Sequence, residues 1–71
     1  MKLTKQEELA IKLLKKVVHH WPESLWLYAA NGTLCVMRKE NGQRVMRSFG
    51  GGVDPDYEVD TIDIECDGGD W

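Results

Sequence analysis

Leu25-Trp26-Leu27-Tyr28-Ala29, followed by Asn31-Gly32 and then Thr33-Leu34-Cys35-Val36-Met37-Arg38, is the stretch that decides the fold. Its aromatic and β-branched residues suit a pleated surface, and successive side chains alternate between two faces. Trp26 and Tyr28 share one face, and Leu25, Leu27 and Ala29 share the other. Between the two runs, Asn-Gly accepts the positive φ angles of a tight primed turn, so the stretch predicts a β-hairpin. Glu40-Asn41-Gly42-Gln43 repeats that turn signal and leads into a third run, Arg44 to Phe49. Residues 25–49 are therefore expected to form a three-stranded antiparallel meander.

Upstream of the hairpin the period changes. Leu9, Ala10, Leu13, Leu14, Val17 and Trp21 recur at steps of three and four residues, which puts them on one side of a helix. Lys5, Glu8, Lys12, Lys15, Lys16 and His19 fall on the opposite side. Thr4 and Glu7 have the spacing of a capping box, in which hydroxyl and carboxylate each cover an amide left bare in the first turn. Pro22 disfavours helical geometry at Trp21 and ends the run. These signals predict a helix over residues 5–20, with one face of the sheet packed on its apolar stripe.

Downstream, Gly50-Gly51-Gly52 reads as a flexible joint into an acidic strand and tail over residues 53–71. Asp54-Pro55-Asp56 is a turn signal, and Tyr57 to Cys66 predicts a further strand, because Ile62, Ile64 and Cys66 alternate with Asp63, Glu65 and Asp67. Val59 sits on the opposite parity, so a bulge or a late strand start is expected near Asp60. Asp67 to Trp71 is a short tail. The expected architecture is α+β in one domain, residues 1–71: an N-terminal amphipathic helix packed on a three- to four-stranded antiparallel sheet, in the order α-β-β-β-β.

Charge is divided unevenly along the chain. Residues 1–47 hold all nine Lys and Arg against four acids, a balance of +5, whereas residues 48–71 hold eight acids and no base, a balance of −8. Such asymmetry points to a charged partner. No apolar run approaches the roughly eighteen residues of a membrane span, and none follows Lys2 and Lys5 as a secretory signal requires. Two cysteines fall short of the disulfide framework of small secreted domains, so a reduced, cytoplasmic setting is expected.

Several constellations resemble chemical sites without meeting their requirements. Asp54, Asp56, Glu58, Asp60 and Glu65 have calcium-loop spacing, but Val59 stands where the loop needs glycine and Pro55 occupies its second position. His19, His20, Cys35 and Cys66 lack zinc-site spacing, so no metal or other cofactor is expected. Cys35 lies in an apolar run that offers no partnered base, and the glycine triplet lacks the Lys-Ser/Thr of a phosphate loop. The chain reads as non-catalytic.

The acidic alternation reads either as the solvated outer face of an edge strand, where like charges discourage edge-to-edge aggregation, or as a docking surface. In an extended strand, every second residue recurs at about 6.6–6.8 Å, comparable to the phosphate spacing along a nucleic-acid strand. Carboxylates so placed could enter the basic groove of a nucleic-acid-binding protein. The contact residues expected from this reading are Asp56, Glu58, Asp60, Asp63 and Glu65, with Tyr57 as an aromatic anchor. A second reading is direct nucleic-acid binding through Lys12, Lys15, Lys16 and Arg44, which the acidic pI near 5.2 opposes. A third is a structural protein or homodimer whose halves pair by charge.

Trp21-Pro22-Glu23-Ser24-Leu25-Trp26-Leu27, Gly51-Gly52-Val53-Asp54-Pro55-Asp56 and Asp67-Gly68-Gly69-Asp70-Trp71 resemble small uncharacterised proteins carried by bacteriophages and prophages. That resemblance implies a bacterial host cytoplasm, a product made during infection or lysogeny, and action by binding and modulating a host protein. It assigns no role to any residue.

Overall fold

The computed structural model describes residues 1–30 and 32–68. Its elements are α1 (Lys5–His20), β1 (Leu25–Ala30), β2 (Thr33–Arg38), a single 3-10 turn (Pro55–Tyr57) and β3 (Glu58–Ile62). The fold is α+β, and among the described residues the sheet has three antiparallel strands in the order β1-β2-β3.

The hairpin forms where its alternation and turn placed it. Leu25 pairs with Arg38, Trp26 with Met37, Tyr28 with Cys35 and Ala30 with Thr33, leaving a two-residue loop. Gly32 takes φ +80° there, while Asn31 lies outside the described residues, as do Gly69, Asp70 and Trp71 of the tail. The register gathers Trp26, Tyr28, Ala30, Cys35 and Met37 on one face, and these are the residues that build the core. The Trp26 and Tyr28 rings sit 5.8 Å apart, tilted by 55°, and the Arg44 guanidinium lies 4.6 Å from the centre of the Trp26 ring.

The run from Arg44 to Phe49 does not become the expected strand. Residues 45–54 instead double back on themselves: Met46 bridges Val53, the Arg47 amide donates to the Gly52 carbonyl and the Asp54 amide to that of Val45. The glycine triplet makes this reversal, since Gly50, Gly51 and Gly52 all hold φ between +70° and +80°. It is thus a turn, and it inserts Val53 into the core against Trp26 and Met37. The free edge of β2 is taken by β3, and one edge can hydrogen-bond only one neighbour. The strand expected over 57–66 is the shorter β3, and a register shift stands opposite Val59, where the parity slips.

The helix has the predicted bounds and caps. The Glu7 amide donates to Thr4 Oγ1 (3.1 Å), and the Thr4 amide donates to Glu7 Oε1 (2.8 Å). At the other end the Trp21 indole N–H donates to the Leu25 carbonyl (3.0 Å), and the Leu25 amide donates to that of Pro22. This tight joint sets the direction in which α1 leaves the sheet.

Packing of α1 on the sheet, however, is not what the structure has. None of its residues is buried, and Leu9, Leu13, Leu14 and Val18 are each more than half exposed. On the core face of the sheet, Val53 packs in the cluster and the Arg44 guanidinium lies over Trp26, in the place expected of the helix. The radius of gyration is 14.5 Å, against about 11 Å for a compact chain of this length. Among the described residues no helix is long and apolar enough to cross a membrane.

Candidate acidic docking surface

Two turns build one end of the molecule. Glu40 and Gln43 exchange backbone hydrogen bonds of 2.8 and 2.9 Å around Asn41 and Gly42, both in the left-handed region, as a primed turn requires. Asp54 caps the 3-10 turn by accepting the Asp56 amide (3.0 Å), with Pro55 pre-set in the first position. Together they bring Tyr57 to Glu40, and its hydroxyl donates to Glu40 Oε2 at 2.6 Å, a charge-assisted bond. That bond and the Glu40 charge push the Tyr57 phenol above its ordinary pKa, with smaller contributions from partial burial and from Asp54 and Asp56.

The other expected contact residues are divided among different surroundings. Glu58 faces the core side of the sheet opposite Met37, where its Oε2 accepts from the Thr61 hydroxyl (3.2 Å). Asp60 pairs with Val36 on the other face and folds its carboxylate onto the Thr61 amide (2.8 Å). Asp63 and Glu65 are exposed beyond the end of β3, on either side of Ile64. The regular comb of carboxylates over 54–60 is therefore absent. A 3-10 turn shortens its first half, and the irregularity at Val59 turns Glu58 and Asp60 to opposite faces.

What remains is a cluster: Glu40, Asp54 and Asp56 around Tyr57. Glu40 was not among the expected contact residues, because seventeen residues separate it from Tyr57 and no periodicity links two turns. Both segments do carry turn signals, and those were the only local sign that they could meet. Among the described residues no acid forms an ion pair with any of the basic side chains, so the described acids of the second half have no ion-paired base among the described residues.

The basic residues are likewise split. Lys12, Lys15 and Lys16 are exposed on α1, whereas Arg44 is stacked on Trp26 in the sheet. No group of three or more His, Cys, Asp and Glu among the described residues could hold a metal ion. Both cysteines are free thiols; burial, then the neighbouring Glu58, raises Cys35 to a pKa of about 11. Compared with known protein families, with curated proteins and with solved structures, the chain matches none.

Proposed function

We propose that this chain is a non-catalytic binding protein of bacteriophage or prophage type, which docks on a basic surface of a host protein and modulates it. The observation that carries the reading is the Tyr57–Glu40 bond set among carboxylates that have no ion-pair partner among the described residues. The bond fixes an aromatic anchor, and the charge around it raises the on-rate for a positively charged partner. Nucleic-acid-binding proteins present such surfaces. The contact is a compact acidic knob (Glu40, Asp54, Asp56, Tyr57), flanked by Glu58 and Asp60, rather than an imitation of phosphate spacing.

The test is capture from bacterial lysate on the immobilised chain, with and without nuclease, followed by elution with rising salt. A nucleic-acid-binding protein released by salt, indifferent to nuclease and lost from the Asp54→Asn/Asp56→Asn/Tyr57→Phe variant is expected. Unchanged capture by that variant, or a partner that disappears with nuclease, overturns the reading and moves attention to Lys12, Lys15 and Lys16.

A further inference from the structure

We infer that the uncovered apolar side of α1 is the interface of a homodimer, in which α1 of a second copy fills the groove between this helix and Ile64. That groove, about 450 Å³, is lined by Ala10, Ile11, Leu13, Leu14, Val17 and Ile64.

The first argument is area. The chain exposes 6059 Å², whereas a compact monomer of 8.1 kDa exposes about 4,500 Å², leaving an excess of about 1,500 Å². A standard interface removes roughly 800 Å² from each partner, so the excess is ample for a stable dimer.

The second is the width of the apolar surface. From Leu9 through Ala10 and Leu14 to Ile11, at 3.6 residues per turn, the apolar side chains span an arc of about 200°. A helix that packs on one neighbour needs about half of that. An isolated helix of this length is marginal in water, so an arc left in solvent gives α1 little reason to persist.

Charge complementarity selects the occupant. Lys15 and Lys16 stand toward the two rims of the arc, while Asp63 and Glu65 are the exposed chain neighbours of Ile64, the residue that forms the other wall of the groove. None of these four has an ion-pair partner among the described residues. A second α1 laid in the groove supplies an apolar ridge to its walls and brings lysines toward the exposed Asp63 and Glu65, and receives the same in return. Such reciprocity is what a two-fold interface requires. The acidic knob around Tyr57 is built by other residues and stays free.

Sedimentation of the full chain across a range of concentrations, with small-angle scattering, tests this. A dimer of twice the chain mass that weakens with salt is expected. Leu14→Asp should give a monomer that keeps its Trp26 environment. Two charge-reversed chains provide the test that does not depend on one substitution: Lys15→Glu/Lys16→Glu and Asp63→Lys/Glu65→Lys should each self-associate about tenfold more weakly, yet pair with one another when mixed. A monomer at every concentration overturns the inference; a radius near 11 Å would then mean that α1 closes on its own sheet, and one near 14.5 Å that a different protein covers it. Dimers insensitive to Leu14→Asp and to both charge reversals also overturn it.

Discussion

Cys35 and Cys66 are both free thiols with different fates. Cys35 is packed under the hairpin face, whereas Cys66 lies half-exposed in the C-terminal segment, its amide donating to the Gly32 carbonyl. One thiol is expected to react promptly with an aromatic disulfide reagent near neutral pH, and the second only on unfolding, which a titration in native buffer and in denaturant reads directly. The raised Cys35 pKa also makes stability depend on pH. Its thiol ionises at 9.0 when unfolded and at about 11 when folded, so the contribution is complete below pH 9 and is lost as pH rises between the two. The loss amounts to at most about 2–3 kcal/mol. Urea midpoints measured from pH 8 to 11 should fall, and Cys35→Ala should remove most of that slope while leaving the part that belongs to Tyr57, which moves the same way. Gly68 illustrates a different constraint of the same scale: a Cβ there would overlap the Ala29 carbonyl, so Gly68 lies against β1 only because it has no side chain.

Elements in this protein differ in what holds them. The hairpin is stabilised by cross-strand packing on its core face. In the isolated chain α1 depends on its own caps and on the solvation of a wide apolar arc, since none of its residues is buried. Thr4→Ala removes one half of the capping box and should cost about 1 kcal/mol. Because that cost falls on an element outside the core, far-ultraviolet dichroism should show a loss of helix at a concentration where Trp26 fluorescence and the main denaturant transition stay in place. Equal loss of both signals would mean that helix and sheet unfold as one unit.

At the scale of the whole molecule, the core is small. Trp26, Ala30, Cys35, Met37 and Val53, with Tyr28 packed against them, form the cluster, and Met37 is fully enclosed. A domain of this size has about 4–10 kcal/mol of stability in total. Met37→Ala leaves a cavity at the centre of that cluster and should cost about 2–5 kcal/mol, so the variant should be largely unfolded at temperatures where the parent is folded. Denaturant titration followed by tryptophan emission measures this. A loss below about 1 kcal/mol would show that the site collapses around the missing side chain. The same small core makes covering of α1 matter, because any apolar area removed from water there adds a large fraction of the existing stability.

Helix bounds, the capping box, the hairpin with its face assignment and the slip at Val59 were all legible in the chain, because each depends on residues within one or two turns of backbone. Periodicity states which side chains share a face. It does not state which strand occupies the open edge of β2, and Arg44 to Phe49 carried nearly the same pattern as the strand that took it. Nor does it say what covers a face: the stripe on α1 and the Trp26 face of the sheet matched in character, yet that face holds Val53, returned by the glycine reversal at 50–52, and Arg44, which follows the turn at 40–43. The Glu40–Tyr57 contact is of the same kind, since it joins two turns far apart in the chain that lie together where β3 pairs with β2. Local sterics and hydrogen bonding select the elements, whereas their neighbours are selected by competition for the same edges and faces, and that competition is settled only in the assembled structure.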